Sequence, residues 1–174
     1  MGWTTGYTSR KEVVETVTEA WENDMRRTEC IRKFFSGNNL WCVFEQRSKA
    51  ASTDVERFIA VFLIRCWKLQ GGEMDWGYKD VSESMGPCEV SCPLSFLDMV
   101  PDPGGYATAW RERVRAAHAC KNQKLAVGQT ITLTNNHQYR VTKLLGRRVY
   151  GVEVATGNEY RIPRGMLLQA VSVS

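Results

Sequence analysis

Two cysteines separated by three residues lie in the proline-rich stretch at residues 82–105, and their type and spacing are those of structural zinc ligands. The downstream segment AHAC adds a histidine and a cysteine. The candidate set of ligands is therefore Cys88, Cys92, His118 and Cys120. The second pair does not suit a shared ion, because a helix over residues 106–123 would turn positions two residues apart by about 200°. We expect neither a bound metal nor a cofactor.

The same stretch contains a candidate catalytic thiol. Cys92 precedes Pro93, and the segment PLSFLDM would begin a short helix whose N-terminus lowers the pKa of that thiol. His118 would act as the base and Asp80 would supply a carboxylate. No cysteine-hydrolase signature surrounds Cys92. A small hydrolase-like enzyme with its site in residues 75–102 is thus the alternative function, and a buried thiol beneath a proline-braced loop is the interpretation we favour.

The C-terminal part of the chain is a candidate binding module. Residues 124–174 contain seven Lys or Arg and two Asp or Glu, whereas residues 1–123 are nearly neutral. Tyrosines alternate with these cations along the sequence. Basic side chains neutralise phosphates, and tyrosine rings stack on nucleic-acid bases. The candidate binding residues are Arg140, Lys143, Arg147, Arg148, Tyr150, Arg161 and Arg164.

Two other interpretations of this basic pattern stay open. A solvated basic face with its tyrosines in a small core has the same composition, and an acidic protein is another partner that would suit the charge. We expect a non-enzymatic protein that binds nucleic acid or an acidic host protein, and the sequence leaves the oligomeric state open.

Residues 1–123 are predicted to form an α+β domain. Ser9 and Glu12 form a capping box that begins a helix over residues 9–27. Three strands with short connections are predicted after it, at residues 40–46, 57–67 and 74–81. Such strands form an antiparallel meander with the helix packed on one face. The second of them is almost entirely apolar, as is typical of a strand that is covered on both faces.

Residues 124–174 are predicted to form a small SH3-like β-barrel. Five short alternating segments are separated by turn signals, and the segment PRGM forms one helical turn before the fifth. The predicted fold class is therefore α+β, with an N-terminal antiparallel sheet and packed helices followed by a C-terminal barrel.

The remaining composition indicates a soluble, cytoplasmic protein. The longest apolar run, Phe58 to Ile64, is far shorter than the roughly 20 residues that span a bilayer, so we expect no contact with a membrane. No apolar signal region is present at the N-terminus, so the six cysteines are expected to be reduced. Six tryptophans indicate either a well-filled core or an aromatic surface.

Several segments, among them MGWTTGYTSRKEVVE, RFIAVFLIRCW and CPLSFLDMVP, together resemble an uncharacterised protein family of bacteriophages and mobile elements. Its members begin with a similar Met-Gly-Trp segment, and the resemblance covers residues 1–120. It implies no catalytic residue, because no activity is established for that family. What the resemblance implies is a biological context, that of a small accessory protein in the cytoplasm of the host cell. Inhibition of a host defence system is one role that such a protein could have.

Overall fold

The computed structural model describes residues 2–50, 53–82, 89–121, 124–146, 148–167 and 170–174. The chain divides into two compact units. The first, called here the N-terminal unit, comprises Met1–Pro87 and Ser95–Ala107; the second, the C-terminal unit, comprises Cys88–Leu94 and Thr108–Ser174. Strands account for 47% of the chain and helices for 20%, so the fold is mainly β and its sheets are larger than the sequence indicated.

A curled, six-stranded antiparallel sheet forms the N-terminal unit. Its strands are β1 (Thr4–Tyr7), β2 (Trp21–Glu22), β3 (Arg26–Ser36), β4 (Asn39–Ser48), β5 (Val55–Lys68) and β6 (Met74–Asp80). The order across the sheet is β1-β6-β5-β4-β3-β2. The predicted meander is confirmed as β4, β5 and β6, and β3 and β2 extend it beyond the prediction.

Helix α1 (Arg10–Thr18) begins where the capping box predicts. The Ser9 hydroxyl accepts a hydrogen bond from the Glu12 amide at 3.2 Å, and the Glu12 carboxylate accepts one from the Thr8 amide at 2.8 Å. The first bond satisfies one of the amides that a helix start leaves without a partner, and the second fixes the residue that precedes the cap. Val13 is then fully buried against the sheet.

The predicted extent of this helix, to residue 27, is wrong. α1 ends at Thr18, and the chain turns into the hairpin of β2 and β3. The Asn23 side chain closes that turn by accepting hydrogen bonds from the amides of Met25 and Arg26, at 2.9 and 2.8 Å. Apolar spacing alone could not show the break, because pairing with β3 competes with helix for the same residues.

The central residues of β5 are buried on both sides of the sheet, as predicted, and those of β4 are buried on both sides as well. One side packs around α1 and carries Leu40, Cys42, Phe44, Ala60, Phe62 and Ile64. The opposite side carries Trp41, Val43, Ile59 and Val61, all fully buried. Two further helices follow in the chain, α2 (Leu94–Met99) and α3 (Tyr106–Cys120).

A five-stranded antiparallel sheet occupies the C-terminal unit and confirms the five predicted strands. They are β7 (Thr130–Leu133), β8 (Gln138–Leu145), β9 (Arg148–Glu153), β10 (Glu159–Ile162) and β11 (Ala170–Val173), in the order β10-β9-β8-β7-β11. The one-turn helix α4 (Arg164–Leu167) precedes β11. Each helix in the described part of the chain is too short or too polar to cross a membrane.

Candidate functional site

Side chains alternate between the two faces of the C-terminal sheet, and the cations gather on one of them. Along β9, Val149, Gly151 and Glu153 are buried, whereas Arg148 and Tyr150 point to the other side. The strands on either side place one cation each in register with Tyr150, Lys143 in β8 and Arg161 in β10. We call this surface the outer face, and its described members among the predicted binding residues are Arg140, Lys143, Arg148, Tyr150 and Arg161.

Three members of the outer face form a row across three strands. Lys143 of β8 is paired with Tyr150 of β9, and Tyr150 is paired with Arg161 of β10. Side chains directly opposite each other on antiparallel strands have Cβ atoms about 4.5–5.5 Å apart. The Tyr150 ring therefore lies between two cations, each of them one strand spacing away. A ligand that stacks on the ring can reach both cations with negatively charged groups on its two sides.

A β-bulge brings Arg140 and Lys143 to the same face. The two residues are three positions apart, so regular alternation would point them to opposite sides of β8. The register shifts between Val141 and Lys143, and one additional residue in the strand restores the outward direction. The bulge thus adds a fourth cation to the outer face.

The positive charge of the outer face is largely uncompensated. Its one described carboxylate, Glu159, accepts a hydrogen bond from the Thr142 hydroxyl at 3.2 Å. In the part of the chain that the structure describes, Arg140, Lys143, Arg148 and Arg161 form no ion pair. The other carboxylate of this sheet, Glu153, lies on the buried side, where the Thr156 hydroxyl and the His137 ring bind it and hold its pKa below the usual value.

The tyrosines do not all share this face. Tyr139 is buried in the core of the C-terminal unit, where burial raises its pKa, and the Tyr160 ring packs perpendicular to it at 6.0 Å. Tyr150 is half-buried, and among these tyrosines it is the one that lies on the outer face with the cations. Two predicted binding groups cannot be placed: Arg147 lies outside the described residues, and of Arg164 the structure describes the backbone in α4 but not the side chain.

Residues 101–165 of the chain are similar to a domain of unknown function, DUF6927. The matched segment contains all seven residues that the sequence predicts for binding. No curated protein and no solved structure matches the chain. The similarity names no activity, so the function has to be inferred from the geometry.

The candidate catalytic thiol is enclosed. Cys92 is fully buried, and its Sγ lies 3.6 Å from the Pro93 carbonyl oxygen. His118 Nε2 lies 2.9 Å from the backbone carbonyl oxygen of Cys92, and because a carbonyl only accepts, Nε2 is the donor. The imidazole therefore contacts the Cys92 backbone through this bond. Asp80 belongs to the N-terminal unit, whereas Cys92 and His118 belong to the C-terminal unit.

The candidate zinc ligands are turned in different directions where the structure describes them. α3 is helical through both His118 and Cys120, as the sequence predicts. Cys120 packs against the core of the C-terminal sheet, whereas His118 bonds to the Cys92 backbone. Cys88 lies outside the described residues. Across the described ranges, no three His, Cys, Asp or Glu residues are grouped closely enough to hold a metal ion.

The structure shows one activated thiol that the sequence did not indicate. Cys30 of β3 and Cys42 of β4 meet on the α1 side of the sheet. A hydrogen bond with the Cys42 thiol, together with a backbone hydrogen bond from Arg32 and the charge of Lys33, lowers the pKa of Cys30 to about 7 against the opposing effect of burial. The register pairs Cys30 with Phe44 and Cys42 with Lys33, so the two thiols meet diagonally across the strands, and no local sequence pattern reveals the contact.

Alkylation is therefore expected to distinguish Cys30 from Cys92. At pH 7, N-ethylmaleimide should modify the partly exposed Cys30 at least about tenfold faster than the enclosed Cys92, because the thiolate is the nucleophile and needs access to the reagent. Peptide mass spectrometry over time measures both rates, and in guanidinium the two should converge. Faster labelling of Cys92 in the native protein would instead support the catalytic-thiol alternative.

Proposed function

We propose that this protein is a non-enzymatic binding protein that holds single-stranded nucleic acid on the outer face of its C-terminal sheet. The observation that carries the proposal is the row Lys143–Tyr150–Arg161, in which register places a ring between two cations. Cations that follow the phosphates and rings that stack on bases are the two elements of single-strand binding.

An acidic protein is a less complete match for this face. Such a partner would use the cations but would leave the central ring without a role. Adjacent strands are about 4.8 Å apart, so Lys143 and Arg161 are separated by about 10 Å with Tyr150 between them. That spacing suits a partner whose negative charges alternate with flat, stackable groups.

We also propose that the C-terminal sheet is an SH3-like barrel. The order of its strands supports this proposal, because the last strand, β11, returns to pair with the first, β7. The one-turn helix α4 before β11 supports it as well. In a curved sheet of this kind, the outer face would be the convex, solvent-facing surface.

The setting that we propose follows from the resemblance of residues 1–120. The protein would act as an accessory protein of a phage or mobile element in the host cytoplasm, and it would inhibit a host defence system by occupying nucleic acid. No catalytic role is assigned to Cys92, His118 or Asp80.

The test of the proposed function is the binding of labelled oligonucleotides at increasing salt concentration. Neutralisation of four phosphates predicts a log–log slope of about −3 for single strands, which fluorescence anisotropy measures directly. Replacing the stacking ring, Tyr150→Leu, is expected to weaken binding by about tenfold or more and to leave the slope unchanged. Tyr106→Leu, at an exposed position outside the sheet, is the matched control.

A labelled poly-glutamate of similar charge serves as the competing partner. The oligonucleotide should bind more tightly than poly-glutamate, and Tyr150→Leu should weaken the binding of the oligonucleotide only. Tighter binding of poly-glutamate, or an unchanged affinity of Tyr150→Leu for oligonucleotides, would replace nucleic acid by an acidic protein as the partner. A slope near zero for both would contradict a role for the outer face.

A further inference from the structure

A cavity of about 590 Å³ lies within the N-terminal unit, beyond the C-terminal end of α1. Its volume falls in the range of about 300–1,000 Å³ that is usual for small-molecule sites. The cavity arises from a mismatch of lengths. α1 has nine residues and is about 14 Å long, whereas β5 has fourteen and extends about 46 Å. The helix therefore covers only part of the sheet.

The uncovered part of the sheet presents aromatic walls to the cavity. Phe44 of β4 stacks on Phe58 of β5 at 5.4 Å, with only 17° between the ring planes. Phe62 and Tyr78 meet edge to face at 5.8 Å. Phe58 is 37% exposed although Phe44, on which it stacks, is buried, so an apolar ligand would bury surface that the helix leaves open.

The polar groups of the cavity are mainly negative. Glu19 and Asp80 line it, as does the last turn of α1, which itself contains no basic residue. Among the described lining residues the one cation is Arg57, which is already bound: its Nε and Nη2 donate to Glu45 Oε2 at 3.0 and 2.8 Å. A cationic ligand would be attracted here and an anionic ligand repelled.

One carboxylate oxygen of Asp80, in the wall of the cavity, lacks a hydrogen-bond partner among the described residues. Its Oδ1 is shielded from solvent and accepts no hydrogen bond from the residues that the structure describes. Burial raises the pKa of Asp80, although hydrogen bonds from Ser82 oppose that effect. A buried carboxylate oxygen without a hydrogen bond destabilises the folded chain. A ligand that donates a hydrogen bond to this oxygen would remove that free-energy penalty. Such a residue is typical of a ligand-binding site rather than of a residue that stabilises the fold.

We infer that this cavity binds a small organic cation, in which a protonated amine lies on Asp80 and an aromatic or branched apolar body packs against Phe44, Phe58 and Phe62. The aromatic walls also favour the ammonium group itself, since ring faces attract cations. The inference concerns the N-terminal unit alone and does not depend on nucleic-acid binding by the outer face.

Three indole derivatives of similar size separate charge from shape. Tryptamine carries an ammonium group, 3-ethylindole is neutral, and indole-3-propionate is anionic. Calorimetric titration of the full chain is expected to show tryptamine binding at least about tenfold more tightly than 3-ethylindole, with the weakest binding for the anion. Equal affinity for all three, or no binding of tryptamine, would overturn the inference.

Two variants assign the effect to the cavity. Asp80→Asn should abolish the preference for tryptamine over 3-ethylindole, whereas Asp54→Asn, an identical charge change at an exposed position outside the cavity, should retain it. Phe58→Ser should weaken tryptamine and 3-ethylindole alike, because it removes a wall rather than a charge. Retention of the preference in Asp80→Asn would remove Asp80 from the site.

Stability without any probe provides an independent readout. Because burial disfavours the ionised Asp80, whose Oδ1 has no described hydrogen-bond partner, Asp80→Asn is expected to raise the Tm at pH 7 in scanning fluorimetry. A lower Tm would show that the carboxylate is a structural group, and the assignment of Asp80 as a ligand-binding residue would fail even if affinity also fell.

Discussion

The variant Lys143→Glu/Arg161→Glu is expected to bind single-stranded DNA about 100-fold more weakly than the native protein at 50 mM salt. Each neutralised phosphate contributes about tenfold to the affinity at this salt concentration, and reversal adds repulsion. The two residues flank Tyr150 in the cross-strand row, so both losses fall on the same bound nucleotides. Anisotropy titration measures the affinity, and the salt slope should fall by more than one unit.

The same variant should keep its fold, because Lys143 and Arg161 are exposed and lie outside the core cluster of the C-terminal unit. A change in Tm of only a few degrees is expected. The matched control is Arg32→Glu/Lys68→Glu, which changes the charge by the same amount at exposed positions of the N-terminal unit. If the control loses as much affinity as the outer-face variant, binding reflects net charge and the outer face has no special role.

Trp41→Ala is expected to destabilise the protein by about 3–5 kcal/mol, the usual cost of removing a fully buried large aromatic side chain. Trp41 is 0% exposed on the side of β4 opposite α1, beside the fully buried Val43. The cavity left by its removal would have neither water nor protein atoms to fill it. Urea unfolding followed by circular dichroism measures the change in the free energy of unfolding.

Trp21→Ala is the comparison, because Trp21 belongs to the same unit but is 48% exposed on the short strand β2. Its loss is expected to cost less than about 1 kcal/mol, in line with other substitutions of exposed residues. Similar costs for the two variants would contradict the placement of Trp41 in a close-packed core.

Wherever a few consecutive residues decide a conformation, the sequence was sufficient to predict it. Ser9 and Glu12 located the start of α1, because their side chains satisfy amides within one turn. The five strands of the C-terminal sheet followed from alternation and turn residues alone. The opposite orientations of His118 and Cys120 followed from the geometry of a continuous helix. Composition also located the seven candidate binding residues.

Tertiary structure decided which of those residues share a surface. Alternation along β8 would have separated Arg140 from Lys143, and the bulge that unites them depends on pairing with β9. Alternation in β8 already predicts an inward Tyr139, which is buried, but only pairing with Lys143 and Arg161 places Tyr150 among the cations. The six tryptophans are likewise divided, with Trp41 buried and Trp21 exposed, by contacts that no local pattern records.

The larger differences between the predicted and the observed fold also arise from contacts between distant residues. β3 carries many charged residues and lacks a clear alternation, yet it forms because β4 offers a partner along its whole length. Its pairing also ends α1 early, and that shortened helix leaves the cavity beside Asp80. The free energy of each of these features comes from contacts between residues far apart in the chain, and this free energy outweighs the local preferences that a sequence displays.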